Sequence, residues 1–480
     1  MRATAPLTLR HKAGYGTAEA GVVAVELMIQ LYLLKFYTSV VGLPAELAGT
    51  ALALAVIWDA VTDPLMGQIS DGSRANAGRR RFYIIVGALA LAIVFPLLFS
   101  PPTLEGNWAK FFYLLLTYML VNTALTILSV PHTALGGELS SDPNQRTELF
   151  GFRLLFANFG FLVGTIVPGL VLAFVAKDRP DAGYVSRSYA SFAAAGTVLL
   201  AGLITYMATA GRDKPYNGPR KSVAAGMLDF TRGIRLVLSN RAFVVLIIAF
   251  FAATVGRTLN SSFALYYYQY TLKLSEQDVI IKILGVFILI ISLSILFWVL
   301  ISRRYGKKGP ALIGVAGLGV MTIIAYPLFP AGGLAGPIFA AVLGGFLVGS
   351  VVLYDALVAD IVDWDRLRRG DDDSREGLYF GFWRMSSKIG RALGLALAGF
   401  ALGWIGFQED QTVQPPGVDR NLAYLFGPGV GTFFLLGTLI FFFMPWSTDI
   451  HERIRSLLAR KKNKTERREN SKSIEMEAVK

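Results

Sequence analysis

Apolar residues in this chain run in blocks of roughly 20 or more, separated by clusters of Gly, Pro and charge. Each block is long enough to cross a hydrocarbon layer of about 30 Å as a helix. Backbone groups in such a layer must bond to one another, so the pattern predicts an all-α membrane protein. We read about twelve spans, near residues 17–40, 46–70, 82–100, 109–136, 150–176, 186–210, 241–270, 278–301, 309–330, 334–362, 378–406 and 421–446. Two or three soluble domains would fit the length of 480 residues, but not 54% hydrophobic against 16% charged residues.

The first 16 residues carry basic side chains but no apolar core of their own, so no removable signal is expected and the first span directs insertion. With no cysteine, disulfides and thiolate metal sites are excluded. A net charge of +13 could suit nucleic acid, but the cations fall in alternate loops: "RANAGRRR", "RRYGKK", "DRLRRGDDDSRE" and residues 212–241. The intervening loops 38–46 and 327–337 have none. That asymmetry predicts both termini in the cytoplasm, in a multi-pass protein of the cell (inner) membrane, with the bilayer and not nucleic acid as partner. The tail "RKKNKTERRENSK" reads as a solvated basic segment near anionic lipid.

Six spans end near Ala210, a polar connector follows, and six more begin near Ala242. The expected organisation is a first six-helix bundle at 1–210, a cytoplasmic connector at 211–241, a second bundle at 242–446 and a cytoplasmic tail at 447–480. Two such halves are what alternating-access transporters of the major facilitator type show.

The stretch "IWDAVTDPLMGQISDG" puts Asp59 and Asp63 on one face of the second span, about a turn apart, with Thr62 beside them. A carboxylate inside a bilayer costs about 2.5 to 3.5 kcal/mol on insertion scales, so such groups usually face a cavity. The pair suits Na⁺, Li⁺ or H⁺; the alternative is a structural pair held by a Lys or Arg of another helix.

"IWDAVTDPLMG" resembles the second helix of the glycoside-pentoside-hexuronide:cation symporter family. "VPHTALGGELSSDPNQRTELFGFR", "ADIVDWDRLRRGDDDSREGLYFGFWRMSSKIGRALG" and "GYGTAEAG" with "LYLLKFYTSVVGL" resemble its helix IV to V, helix X to XI and helix I segments. The resemblance covers the whole membrane part and implies the major facilitator fold, with cation-coupled symport of a sugar, glycoside or related solute by alternating access. It places cation ligands at Asp59 and Asp63, with Thr62 where an amide is usual, and at Thr126. The helix XI lysine falls on Lys388, near cation and substrate. Arg153 matches an arginine of the substrate cavity, or is a lipid-facing anchor.

Two acids that bind sugar in melibiose-type members correspond here to Val23 and Ser129, which puts melibiose-like sugars in question. Glu26, one turn beyond Val23, is expected to act from a shifted position or to pair with another helix; Glu19, one turn before, reads as a substitute or a helix-end charge. Arg384, one turn from Lys388, would suit an anionic group. A less polar cavity keeps a second reading open, an amphiphile such as a lysophospholipid, which the related vertebrate symporters carry. A third reading is a transport-inactive receptor or scaffold, against which stands the retention of Asp59, Asp63 and Lys388. On the cytoplasmic side Asp360, Asp363 and Asp365 are expected to pair with Arg146 and Arg79, Arg80 or Arg81 across the halves, or to remain solvated. His11, His132 and His451 are scattered and no "GxxxxGK[ST]" occurs, so neither enzymatic nor ATP-driven activity is expected, nor any cofactor beyond the coupling ion. A monomer is expected.

Overall fold

A computed structural model describes residues 7–71, 80–140, 143–176, 179–211, 237–369, 376–408, 411 and 413–446. Among these residues there are helices and no strands. Twelve long helices run in alternating directions. The first six are α1 (Leu9–Ser39), α2 (Ala45–Asp71), α3 (Arg81–Leu98), α4 (Asn107–Glu138), α5 (Pro143–Phe174) and α6 (Ala182–Ala208). The others are α7 (Arg241–Thr271), α8 (Glu276–Tyr305), α9 (Lys308–Leu328), α10 (Ala335–Val348 continued by Val352–Arg369), α11 (Glu376–Trp404) and α12 (Val418–Phe442).

Every expected span falls on one of these helices. α1 begins earlier than its apolar run, because Arg10 and Lys12 occupy its first turns and Lys12 pairs with Glu148 of α5. Eleven helices are long and apolar enough to cross a bilayer. α11 is outside that set, since Arg384, Lys388 and Arg391 fall within about two of its turns. On α8 the exposed Leu289, Leu293, Leu296 and Leu300 recur on one face, as a surface turned to hydrocarbon requires.

In the first half α1 packs on α5 and α6, α3 on α4 and α6, and α2 on α4. In the second α7 packs on α11 and α12, α9 on α12, and α8 on α10. The halves meet through α2 on α11, α1 on α7 and α5 on α8. Glycine makes the first of these contacts possible: a Cβ on Gly399 would lie 2.3 Å from the Ala45 carbonyl oxygen and 2.9 Å from Gly49 Cα.

Leu7 and Trp446 lie at one end of the bundle, here the near end; the α1–α2 and α7–α8 turns lie at the far end. The far end is closed by polar contacts between the halves. Lys35 of α1 hydrogen-bonds Gln269 of α7 and lies 3.8 Å from Glu276 of α8. Arg187 of α6 pairs with the same Glu276 and stacks 4.7 Å over the Tyr32 ring. Thr38 and Tyr266 join their hydroxyls at 2.5 Å. In the far part of the bundle four helices widen into single π-turns, at Ile29–Leu33 in α1, Tyr267–Thr271 in α7, Val279–Leu284 in α8 and Leu425–Gly429 in α12.

Candidate cation and substrate site

A cavity of about 430 Å³ extends from mid-bundle toward the near end between the halves. Its first-half wall carries Asp59 and Asp63 of α2, four residues apart on the face that α2 turns to α11. Lys388 Nζ reaches across to Asp59 Oδ2 at 2.7 Å and Asp63 Oδ2 at 2.5 Å. On the opposite side of the carboxyl groups, Thr126 Oγ1 of α4 is 2.9 Å from Asp59 Oδ1 and 2.8 Å from Asp63 Oδ1. Asp59 is buried and Asp63 partly so.

A hydroxyl has one hydrogen to donate, so Thr126 satisfies one of its two carboxylates at a time. The other Oδ1 lacks a positive partner. Three hard oxygens around one point, with no sulfur or imidazole, suit a small monovalent cation or a proton. Among the described residues no group of three or more His, Cys, Asp or Glu is placed to hold a metal, so a multi-acid divalent site is not what this cluster resembles.

Thr62 does not join the cluster. Its hydroxyl donates back to the Asp59 carbonyl at 3.2 Å, the usual local bond of a helical threonine, and it does not line the cavity. The sequence reading also passed over Arg391, whose Nη2 lies 3.6 Å from Asp59 Oδ2. Its signal was present: Arg384, Lys388 and Arg391 follow the i, i+4, i+7 spacing of one helical face.

Arg153 of α5 lines the cavity and is not a lipid-facing anchor. Its guanidinium grips Glu19 of α1 through both oxygens, at 2.6 and 3.0 Å. Glu19 also lies 3.6 Å from Nδ1 of the fully buried His132, whose Nε2 is 2.8 Å from the Tyr15 carbonyl oxygen. Glu26 is exposed to the cavity, which Arg391 also lines. Ser129 and Arg384 line the cavity as well. Val23 does not: it packs against Gly160 of α5, where a Cβ would lie 3.0 Å from Val23 Cβ. The phase of α1 thus turns Glu19, Val22 and Glu26 to the cavity and Val23 to its neighbour.

Of the acids expected at the near-end gate, two have a partner in their own half. Asp360 accepts from Lys307 Nζ at 2.6 Å, and Asp365 from the Tyr379 hydroxyl at 3.0 Å. Arg80 reaches Glu138 at 3.0 Å, and Arg81 donates to the Tyr206 carbonyl at 2.5 Å. Asp363 is partly buried on α10. The Arg146 side chain and Arg79 lie outside the described residues. The far-end group of Lys35, Arg187 and Glu276 was not foreseen, because single charges near span ends read as interfacial anchors.

The chain is 28% identical over 428 residues to the "Putative glycoside/cation symporter YagG" of Escherichia coli (strain K12), covering 88% of both. It is 22% identical over 454 residues to the sodium-dependent lysophosphatidylcholine symporter 1 of Xenopus tropicalis, covering 88% of this chain and 83% of that one. Among solved structures, a bacterial homolog of the human lysosomal transporter Spinster, in an inward-facing and occupied conformation, superposes with a TM-score of 0.67. That match has 16% identity and covers 91% of this chain and 97% of the other, and it shows the major facilitator fold. The profile of the MFS/sugar transport protein family matches residues 14–448, nearly the whole helical part. This chain, a membrane transporter and not an enzyme, belongs to the MFS/sugar transport protein family.

Proposed function

We propose that this transporter couples inward movement of a sugar, glycoside or related small organic solute to a cation, Na⁺, Li⁺ or H⁺, by alternating access. The observation that carries the reading is the pair Asp59 and Asp63, bridged by Thr126 on one side and by Lys388 of the other half on the other. A cation entering beside Thr126 competes with Lys388 for the same carboxylates. Because Lys388 belongs to α11, that competition acts on the contact between the halves, which is what coupling requires; typical coupling energies are about 1 to 3 kcal/mol. Each cation moved down 100 mV supplies about 2.3 kcal/mol for uptake.

With both termini in the cytoplasm, as the alternate basic loops favour, the far end is extracellular and the structure corresponds to an inward-facing arrangement. The cavity is built wholly within one chain, so a monomer suffices. A lysophospholipid reading has a relative in its favour. Against it stands a lining with charges on every side and a volume of about 430 Å³, better matched to a polar solute than to an acyl chain.

The test is uptake into vesicles under Na⁺, Li⁺ and H⁺ gradients by wild type, Asp59→Asn and Asp63→Asn. The reading expects both variants to lose cation dependence. Wild-type transport with unchanged cation dependence in both would reduce the aspartates to a structural role.

A further inference from the structure

His132 of α4 is fully buried, and its two ring nitrogens stand in opposite situations. Nε2 lies 2.8 Å from the Tyr15 carbonyl oxygen, which can only accept, so Nε2 carries a hydrogen and donates it. Nδ1 of the neutral ring therefore presents a bare lone pair. It has no hydrogen-bond partner among the described residues, and it faces Glu19 Oε2 of α1 at 3.6 Å. Two acceptors thus confront each other. The gap is too long for a hydrogen bond of about 2.8 Å and too short for a bridging water, which needs about 5.5 Å between its partners. A proton is the ligand that fits, because on Nδ1 it turns the contact into a charge-assisted hydrogen bond and satisfies a buried nitrogen.

The pair is reached from the cavity, which Glu19 and Arg153 line. On the other side the Tyr15 ring lies 4.5 Å from the imidazole and belongs to an apolar group with Ile84, Leu135, Leu139 and Leu149. A hydronium in the cavity can give its proton to Glu19 Oε2, which hands it to Nδ1. Water is left in the cavity, and an imidazolium faces a restored carboxylate.

Arg153 of α5 opposes that outcome. Its Nε is 2.6 Å from the same Oε2, and its Nη2 is 3.0 Å from Oε1. Guanidinium and imidazolium compete for one carboxylate, so a closed fork weakens proton binding, and a bound proton weakens the fork by the same factor. Here the fork is closed and Nδ1 stands off, the arrangement of a proton-free site. Other charges on the helices around the ring are engaged elsewhere: Lys12 of α1 by Glu148 of α5, Arg80 by Glu138 of α4, Arg81 of α3 by the Tyr206 carbonyl, and Asp59 and Asp63 of α2 by Thr126 and Lys388.

We infer that Glu19 and His132 form a proton-binding site, separate from the Asp59/Asp63 cluster, which Arg153 empties by closing on Glu19. A consequence, which rests on the alternating-access reading above, is that the pair meets each side of the membrane in turn, so pH acts on the cycle apart from the coupling ion.

The test is ¹⁵N NMR of the purified full-length protein labelled at histidine, titrated from about pH 8.5 to about pH 5, a range that spans the ordinary histidine pKa. The chain has three histidines, and His132→Gln, which keeps a donor for the Tyr15 carbonyl, identifies the His132 signals. Wild type is expected to show Nε2 protonated and Nδ1 bare at neutral pH. Arg153→Gln should raise the proton affinity of Nδ1 about tenfold or more, one pH unit, and Glu19→Gln should lower it by as much. Arg153→Lys keeps the charge but not the fork; it should also move the midpoint up, and it carries the test if Arg153→Gln does not fold. Asp63→Asn and added Na⁺ should leave the midpoint in place. The inference is overturned if Nδ1 stays bare across the range in both Arg153 variants, if their midpoint equals that of wild type, or if the midpoint follows Asp63→Asn, which would merge the two sites. None of these readouts needs transport, so failure of the symport reading is seen separately, in the vesicle uptake.

Discussion

Lys388 is a tethered competitor for the coupling ion, and removing it should tighten ion binding while uncoupling transport. Its ammonium sits 2.7 and 2.5 Å from the two aspartates. An ion beside Thr126 would stand on the other side of the same carboxyl groups, about 5 Å away, where an effective dielectric near 20 gives a repulsion of about 3 kcal/mol. Lys388→Ala should therefore raise Na⁺ affinity by roughly a hundredfold, or by about tenfold if water in the cavity screens half of the interaction. The assay is Na⁺-dependent thermal stabilisation of the purified protein at pH 8, where protons compete least, alongside solute uptake. A lower Na⁺ midpoint with lost uptake is expected, and the effect should vanish in Asp59→Asn/Lys388→Ala. An unchanged or weaker Na⁺ midpoint in Lys388→Ala would refute the reasoning, because it would mean that Lys388 and the ion do not share the carboxylates.

Three further outcomes are expected. Glu19→Gln leaves the largely buried Arg153 without its bidentate partner and should cost about 2 to 4 kcal/mol of stability, with Glu19→Gln/Arg153→Gln less than additive in thermal unfolding; strict additivity would show that the pair is not coupled. Glu276→Gln leaves Lys35 and Arg187 facing each other without a counter-charge, so it should open the far end; because the chain has no native cysteine, faster maleimide labelling of Ser39→Cys in that background reads the opening directly, and an unchanged rate would contradict it. Gly399→Ala forces a methyl group into the Ala45 carbonyl and should destabilise the α2–α11 contact by about 1 to 3 kcal/mol, with a matching fall in melting temperature; a wild-type melting temperature would show that the helices part freely.

The twelve helices were legible because a bilayer admits one kind of backbone for such blocks, and the blocks are long. The one helix that fails an apolarity test is the one that matters most, since the three cations that lower its hydropathy are those turned to the cavity. Asp59, Asp63, Thr126 and Lys388 lie in four turns of three helices, and local motifs pointed to them because each sits in a distinctive run. What spacing could not give was helix phase. Val23 and Glu26 are three residues apart, yet the close approach of α5 at Gly160 decides that one packs and the other faces the cavity. Pairings between distant segments were beyond reach for the same reason: Arg153 with Glu19 spans 134 residues, and Glu276 takes its partners from α1 and α6. At the near end, Asp360 takes Lys307 of its own half as a partner, a pairing across 53 residues that charge placement alone did not single out.

The π-turn of α1 falls between two residues with different tasks. Glu26 lies before it and faces the cavity; Lys35 lies after it and helps close the far end. A widened turn breaks the regular run of backbone bonds and so bends more easily than the helix on either side. α7 carries its own widened turn at Tyr267–Thr271, immediately after Tyr266, the partner of Thr38, and before Glu276 on the following helix. The first helix of each half is thus jointed, with a shaft along the cavity and a short cap over its far mouth. The caps can pivot while the shafts stay packed, so the outer seal can yield before the halves rock as whole bodies.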